Sequence, residues 1–231
     1  MSYLPPNPAI LPDGQEVKVH GSEAFPFAVY CGIIPTFIPA YPLHYHEEME
    51  LIYCETGSGS ITIDRATVTL HTGDVAVILP GQIHAIAAAG AGTFRYYNIL
   101  FRFSLLEPPD SETYRRFLAP LADGRMEVPA HIQKDSPLGR ELPVNVKMLI
   151  ENRKENTALR IKACLYGVMD ALCKAATPAR YPAGAEHRDT RLLRQTVQYV
   201  DRHYAEKITV AAISAQCGYS SSHFMKRFHD L

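Results

Sequence analysis

The stretch LHYHEEMELIYCETGSGSITIDRATVTLHTGDVAVILPGQIHAI, residues 43–86, decides the fold, because it holds two histidine-bearing blocks separated by alternating apolar and polar residues. In the first block, His44, His46 and Glu50 stand at even spacing, so an extended chain points all three side chains to one side of a sheet. Glu48 shares this parity. The period alone therefore does not say which carboxylate accompanies the two imidazoles.

The second block adds one more imidazole after a strand. Gly73 and Asp74 precede the apolar run VAVIL, and Pro80-Gly81 forms a tight turn before His84. Two blocks that are distant in sequence thus each contribute histidine.

Both blocks resemble the signatures of the cupin superfamily. The pattern His44-x-His46-x-x-x-Glu50, followed after six residues by Gly57, resembles the first signature. The segment 73–84 resembles the second.

The cupin resemblance implies a mainly β, double-stranded β-helix barrel. It also selects Glu50 over Glu48 as the fourth ligand. In the second signature, Leu79 stands where the family commonly has Pro, and Ala88 stands where it often has Asn. The barrel interior is implied to receive four side chains, His44, His46, Glu50 and His84.

This set of side chains has two interpretations. Three imidazoles and a carboxylate suit one divalent transition metal, Zn, Mn, Fe, Co or Ni, and leave coordination positions open for water or a ligand. The same residues can form a hydrogen-bonded polar cluster, because buried His and Glu need partners whether or not an ion is present.

The bulk composition is that of a globular protein. The chain has 231 residues, 47% of them hydrophobic, enough for one or two domains and a connector. The N-terminus lacks a basic n-region and an apolar h-region, and no stretch approaches the roughly 20 apolar residues of a membrane span. The 5 scattered cysteines never form a Cys-x-x-Cys pair, which predicts reduced thiols. We therefore expect a cytoplasmic protein with no membrane partner.

Short strands separated by glycine-rich turns fill the first half of the chain and predict an antiparallel sandwich or barrel. Residues 1–24, rich in Pro and Gly, are expected to form an arm or an edge strand before it. The expected strands are 25–31, 50–55, 60–64, 67–71, 75–79, 84–88 and 93–103.

The period changes to a helical one after residue 107. Ser111 is expected to cap a helix that runs to about 121, and two longer helices follow at about 138–155 and 157–176. An apolar stripe on the last of these helices either packs on its own domain or forms part of a dimer interface. The stripe consists of Leu159, Ala163, Tyr166, Met169, Leu172 and Cys173.

A second motif follows near the C-terminus. A helix is predicted at 191–204, and 208–231 follow the layout of a helix-turn-helix. Thr209 caps a short helix, Gly218 supplies the positive φ of a sharp turn, and Ser220 caps a second helix. The side chains expected to face inward are Leu192, Leu193, Val197, Val200, Val210, Ile213, Cys217, Phe224 and Phe228.

The segment 197–228 resembles the first helix-turn-helix of the AraC-type transcription regulators. Ser214 stands where that family usually has Ala, and it fits if its hydroxyl bonds back to the helix. A cupin barrel, a helical connector and this motif, in that order, make up the AraC-type architecture. The matching residues are Tyr199-Val200, Ile208-Thr209, Gly218-Tyr219-Ser220 and the run from Phe224 to Phe228.

The AraC-type DNA-binding unit has two such motifs joined by a long helix. This sequence ends at Leu231, within or just after the first recognition helix, so the second motif is absent and a truncated regulator is expected. A single module makes few phosphate contacts, which predicts weak, salt-dependent binding to DNA.

The resemblance implies a ligand-responsive transcription regulator with four parts. Residues 1–107 form the sensing barrel, 108–176 a helical connector that joins a homodimer, 177–190 a linker, and 191–231 the DNA-binding part. A small-molecule effector, in this family often a sugar, enters the barrel and biases how the helical region presents the DNA-binding unit. Regulators of this family commonly keep the His and Glu residues without catalysis.

The resemblance also assigns DNA-contacting residues. Ser222, Met225 and Lys226 are implied to reach base edges in the major groove. Ser220 and Ser221, at the helix N-terminus, are placed to meet a phosphate. The alternative is that Lys226 is an ordinary solvated charge.

An effector pocket is expected around the four polar side chains. Strand parity puts Ile52 and Cys54 on the side of Glu50, and Ile86 on the side of His84. Aromatic candidates either stack on a sugar or simply pack in the core; these are Phe27, Tyr45 and Tyr96.

Two other functions fit parts of the sequence. A metal-dependent cupin enzyme, an oxygenase or isomerase, would use the ligand set but needs neither the linker nor the helix-turn-helix. A sensor and dimerisation module without DNA binding would fit the point at which the sequence ends.

Overall fold

The computed structural model describes residues 10–11, 14–64, 66–152, 158–179, 192, 196, 199–200, 203 and 207–229. Residues 1–9 of the expected arm, residues 180–190 of the expected linker and most of the predicted helix 191–204 lie outside the described residues. Among the described residues, no helix combines the length and apolar character needed to cross a membrane.

Short antiparallel strands build the N-terminal region, as the sequence predicts. One sheet has the order β1-β8-β3-β6-β10, and a second has the order β2-β7-β4-β5. The strands are β1 (Phe27–Ile34), β2 (Ala40–His44), β3 (Met49–Thr56), β4 (Ser58–Ile63), β5 (Ala66–His71), β6 (Val75–Ile78), β7 (His84–Ala88), β8 (Phe94–Phe101), β9 (Met126–Glu127), β10 (His131–Ile132) and β11 (Thr177–Pro178).

The two larger sheets face each other and enclose one apolar cluster. This inner cluster combines Ile52 of β3 and Phe94 of β8 with Ile61 of β4 and Ile86 of β7. On β3, Glu50, Ile52 and Cys54 alternate with Met49 and Leu51, which belong to a different cluster on the outer face. The pleat therefore aims the polar Glu50 into the barrel.

Two long helices cover the outer face of the five-stranded sheet. They are α2 (Pro137–Asn152) and α3 (Ala158–Ala175), close to the predicted bounds. Leu142 of α2 and Leu165 of α3 are fully buried in the same cluster as Leu51 and Ile99 of the sheet. Burial of a leucine side chain stabilises a fold by about 1.5–3 kcal/mol, so this layer contributes much of the stability of the protein.

The first helical segment begins where Ser111 predicts. Its Oγ accepts a hydrogen bond from the backbone N of Tyr114 at 3.0 Å. The turn Tyr114–Leu118 has π-helical spacing and continues into α1 (Ala119–Ala122).

Half of the members of the predicted apolar stripe of α3 do not pack on their own domain, which was one of the two interpretations of the stripe. Met169 and Leu172 are buried, but Leu159 is 87% exposed and Tyr166 is 41% exposed. The face that packs on the sheet is formed by Ile161, Cys164, Leu165, Val168 and Leu172. Because the helix is apolar on much of its circumference, a 3.6-residue period fits two neighbouring stripes, and packing selects one of them.

The helix-turn-helix forms as predicted, from α4 (Val210–Gln216) and α5 (Ser221–His229). The Oγ1 of Thr209 accepts a hydrogen bond from the N of Ala212 at 3.2 Å, and Gly218 has a φ of 74°. Ser214 is buried, and its hydroxyl donates to the carbonyl of Ala211 at 3.1 Å, which satisfies the condition for its fit.

Three side chains expected to face inward are partly exposed. Val210, at 41% exposure, is the first residue of α4, ahead of the turn that meets α5. Phe228 is 37% exposed, and its ring stacks on that of Phe224. Val200 is 36% exposed. Only Phe224 of the two aromatic rings is fully buried in this motif.

Candidate metal centre

The four side chains expected in the barrel converge. His44 ends β2, Glu50 lies in β3 and His84 begins β7, where it pairs with His44 across the sheet. Together with His46, they place one ligand atom each within 4.8 Å of one another. Each is at most 4% exposed. The cluster is therefore a dry group of nitrogen and oxygen donors.

Backbone carbonyls fix the orientation of each imidazole. A carbonyl oxygen only accepts, so the bonded Nδ1 carries the hydrogen, and Nε2 of the neutral ring keeps its lone pair. The three bonds run from His44 Nδ1 to Pro42 O at 2.8 Å, from His46 Nδ1 to Glu48 O at 3.1 Å, and from His84 Nδ1 to Gln82 O at 3.0 Å.

The carboxylate of Glu50 lies among these inward-facing nitrogens. Its Oε2 is 3.2 Å from Nε2 of His46 and 2.8 Å from Nε2 of His84. Burial alone raises the pKa of Glu50, but these two imidazoles, when their Nε2 atoms carry hydrogen, donate hydrogen bonds and positive charge that outweigh burial and hold the pKa well below its usual range. Nε2 of His84 is buried and has no correctly directed hydrogen bond among the described residues. Two imidazoles thus share one carboxylate oxygen, and all four donor groups lie around the same point.

The pKa of His44 favours a ligand role. Burial, helped by the neighbouring His84, lowers this pKa to about 4. The ring is then neutral at neutral pH, and a neutral imidazole is the form that binds a metal.

Glu48, the other carboxylate of the same parity, faces away from this space. Its Oε1 accepts a hydrogen bond from Nε of Arg102 at 2.8 Å. Its Oε2 is 3.7 Å from Nδ1 of His46, the outer nitrogen of that ring. The geometry agrees with the choice of Glu50 that the cupin resemblance implies.

Three residues beside the cluster were missed by sequence reasoning. Glu16 accepts a hydrogen bond from the hydroxyl of Tyr41 at 2.6 Å and lies 3.2 Å from Nε2 of His20. Burial raises the pKa of Glu16, but these two partners lower it to about 2. Nothing periodic marks residues 14–20; the one sequence signal was the pairing of an acid and a histidine four residues apart in the expected arm.

The expected pocket residues divide between the two faces of the sheet. Ile52, Cys54, Ile86 and Tyr96 lie in the inner cluster. Phe27 does not, because its parity on β1 places it against the outer cluster beneath the helices.

Tyr45 is also outside the inner cluster, which corrects the expectation that it lines the pocket. It alternates with the inward-facing His44 and His46, and its ring lies beside Gly14, 3.8 Å from where a Cβ would stand there. The backbone of Tyr45 bonds to Gly14 and Glu16, so this residue holds the N-terminal segment instead.

Tyr96 brings an unused hydroxyl into the barrel. Its ring is fully buried and stacks on Phe94 at 4.6 Å between centroids. Burial raises the pKa of Tyr96, so the phenol stays protonated. Within the described residues, neither its hydroxyl nor Oδ1 of the buried Asn98 has a hydrogen-bond partner. Unpaired buried polar groups are rare, and they are available to a bound molecule.

The expected DNA-contacting residues lie on the exposed side of α5. Ser220, Ser222, Met225 and Lys226 are exposed, and Met225 is 52% exposed despite its apolar side chain. The hydroxyl of Ser221 is 3.1 Å from Oγ of Ser214 and so contributes to the contact between the two helices.

Two protein-family models match the chain. The AraC-like ligand binding domain matches residues 30–117, and the bacterial regulatory helix-turn-helix proteins of the AraC family match residues 200–230. No curated protein matches.

Several solved structures are similar over parts of the chain. A variant of oxalate decarboxylase from Bacillus subtilis is 26% identical, with 28% of this chain and 18% of that chain covered and a TM-score of 0.26. A cupin protein from Bacteroides fragilis is 27% identical over 36% of this chain and 70% of that chain, with a TM-score of 0.32. The AraC-like transcriptional activator CuxR is 12% identical over 80% of this chain and 61% of that chain, with a TM-score of 0.40. The chain thus spans only 18% of the length of the oxalate decarboxylase.

Proposed function

This chain belongs to the AraC family of bacterial regulators, and from that premise we propose that its barrel holds one divalent transition metal at which a small hydroxylated effector, such as a sugar, binds. The effector then changes how the protein presents its helix-turn-helix to DNA. The presence of a ligand-binding domain and a helix-turn-helix in one chain supports a protein in which one domain binds the effector and the other binds DNA.

One observation carries the metal assignment: three imidazoles bonded through Nδ1 to carbonyls aim their Nε2 atoms at a single carboxylate. A second bond that fixes the tautomer and the ring is the usual arrangement around metal-bound histidine. Without an ion or a proton between them, the lone pairs and the carboxylate repel one another. The donor set of the described residues therefore fits Zn, Mn, Fe, Co or Ni.

Two features support an effector rich in hydroxyl groups. When bound, the ion supplies coordination positions that four protein donors leave open, and oxygen atoms of an effector suit them. The hydroxyl of Tyr96 can donate to the effector, and Oδ1 of Asn98 can accept from it. Glu50 balances part of the charge of the ion. The apolar wall that includes Ile52 and Ile86 excludes water.

The two AraC-family matches favour this regulator over a metal-dependent cupin enzyme. The exposed side chains of α5 support DNA as a partner, since a helix of this kind lies in the major groove when such proteins bind. The exposed part of α3 around Leu159 supports a homodimer formed through the connector helices.

Elemental analysis of protein purified without added metal tests the proposed centre. We expect close to one transition-metal ion per chain in the wild type and almost none in H84A. The matched control is H71A, because His71 is exposed at the end of β5 and its side chain is not part of the cluster. A wild-type chain without stoichiometric metal, together with H84A of unchanged stability, would contradict the proposal.

A further inference from the structure

We infer that Glu16 is a fifth donor of the metal centre, so that the ion joins the N-terminal segment to the barrel. This inference rests on the proposed metal function and adds a ligand from a part of the chain that neither cupin signature includes.

The position of Glu16 meets the distance condition for a shared ion toward one ligand, His44, and lies just outside the group of four donors that are all within 4.8 Å of one another. Its Oε2 lies 3.9 Å from Nε2 of His44. Two donors on one ion each lie about 2 Å from it, so they are separated by no more than about 4 Å. Because Nδ1 of His44 is bonded to Pro42, Nε2 is the atom that faces both Glu16 and the cluster.

Two side chains aim this carboxylate. The hydroxyl of Tyr41 donates to Oε1 at 2.6 Å, and the ring of Tyr41 packs edge-on against that of His44, 4.7 Å between centroids. Nε2 of His20 lies 3.2 Å from Oε2, and the ring of His20 packs edge-on against that of His46. Glu16 is therefore held at the cluster with almost no exposure to solvent.

A second, independent observation concerns His20. Its Nδ1 is buried and has no hydrogen-bond partner in the part of the chain that the structure describes. An arrangement that served only to fasten the segment would be expected to satisfy its buried nitrogens. The N-terminal side of the site is thus polar, enclosed and incompletely paired, as expected beside a metal ligand.

Charge also favours a second carboxylate. A divalent ion beside Glu50 alone leaves a net charge of +1 in a buried site, and an isolated buried charge is costly. The ionised carboxylate of Glu16 brings the sum of ion and ligands to zero.

The backbone already holds Glu16 in place. Its N donates to the carbonyl of Tyr45 at 2.9 Å, and the N of Tyr45 donates to the carbonyl of Gly14 at 2.9 Å. Tyr45 stands between His44 and His46, so the N-terminal segment runs directly alongside two of the ligands.

Titration of the full chain with Co²⁺ tests the inference, with affinity and the visible ligand-field bands as separate readouts. We expect E16Q to bind Co²⁺ about 10- to 100-fold more weakly than the wild type, with bands shifted in energy and intensity. Gln keeps the oxygen that accepts from Tyr41 but loses the charge. Circular dichroism verifies that the variant is folded.

Two control variants distinguish a metal ligand from a residue with a structural role only. E48Q neutralises a buried carboxylate next to the outer nitrogen of His46. Y41F removes the hydrogen bond from Tyr41 to Glu16 but keeps the carboxylate of Glu16. Both should keep the wild-type Co²⁺ bands, and E48Q should keep its affinity within about threefold, below the usual effect of losing a ligand.

The outcomes distinguish this inference from the proposed function. Wild-type affinity and bands in E16Q would overturn the inference while the metal function stands. Equal losses of Co²⁺ affinity in Y41F and E16Q, with the bands unchanged in both, would also overturn the inference. Glu16 would then have a structural role and would not be a metal ligand. A wild-type chain that does not bind Co²⁺ would overturn both.

Discussion

Asp74 accepts a hydrogen bond from Nε2 of His131 at 3.0 Å, and this bond connects the turn before β6 to the strand that leads into the connector helices. The same carboxylate accepts hydrogen bonds from the backbone N of His71 at 3.0 Å and of Lys134 at 2.9 Å. One buried acid therefore joins the barrel to the helical region.

We expect D74N to destabilise the protein by about 1–3 kcal/mol, because an amide has only one oxygen to serve three donors and leaves a buried donor unpaired. Urea unfolding measures this change. D123N is the matched control, since Asp123 is exposed and, among the described residues, its carboxylate pairs with Arg125 at the surface. Equal midpoints for D74N and the wild type would contradict the prediction.

The same residue predicts a pH dependence. Burial raises the pKa of Asp74, but the hydrogen bonds from His131 and from the two backbone amides outweigh it and lower the pKa below its usual range. A lowered pKa in the folded state gives stability that is present above the ordinary pKa of Asp and is lost as the pH falls through the folded value. D74N should lose less stability than the wild type over this acidic interval in unfolding experiments.

Tyr96 and Tyr41 should respond in opposite directions to replacement by Phe. The hydroxyl of Tyr96 is buried and unpaired among the described residues, so Y96F should leave the effector-free protein as stable as the wild type or stabilise it by up to about 2 kcal/mol. Y41F removes the hydrogen bond to Glu16 and should destabilise it by about 1–3 kcal/mol. Destabilisation of Y96F by more than Y41F in urea unfolding would show that the hydroxyl is already satisfied.

Lys226 should contribute to specific binding of DNA. In a form of the protein that carries both helix-turn-helix motifs, K226A should weaken binding to the operator by roughly 1–3 kcal/mol. Fluorescence anisotropy measures the affinity at fixed salt. K174A is the control, because Lys174 is an exposed lysine of α3 that pairs with Asp170. Unchanged operator affinity of K226A would remove this lysine from the DNA contacts.

The exposed part of α3 should hold two copies together. Leu159 is 87% exposed, so L159E should not disturb the core of one chain, but it should place a charge in the dimer interface. Light scattering after size exclusion should then report the monomer mass over a wider concentration range. L43E is the control, since Leu43 is an exposed leucine on β2 of the barrel. Identical masses for L159E and the wild type at all concentrations would argue against this interface.

The sequence predicts an antiparallel sandwich or barrel from short-range signals, whereas the convergence of the four side chains was implied by the cupin resemblance. Glycine turns and alternating strands fix the pleat, and the pleat alone aims Glu50 and Ile52 inward. The choice of Glu50 over Glu48 needed the cupin resemblance, because both have the same parity. In the structure, Arg102 explains the difference by taking Glu48 out of the cluster.

The errors arise where contacts between segments that are distant in sequence determine the position of a side chain. The approach of Glu16 to His44 joins residues 28 positions apart through an irregular segment with no period. The stripe of α3 had two interpretations, packing on its own domain or a dimer interface, because its hydrophobicity does not show which side meets the sheet; exposed Leu159 does not pack on its own domain. Phe27 was assigned to the pocket for its chemistry, although its parity opposes that of the inward-facing Tyr30.

The two stacked rings of Phe94 and Tyr96 have a consequence for the range of effectors. Each ring occupies the place that a side chain would take at a glycine: Gly59 of the facing sheet for Phe94, and Gly32 of the neighbouring strand β1 for Tyr96. The space beside each of these glycines is therefore filled by an aromatic side chain and not by the backbone. Smaller residues at these two positions would enlarge the barrel interior without a change of its backbone.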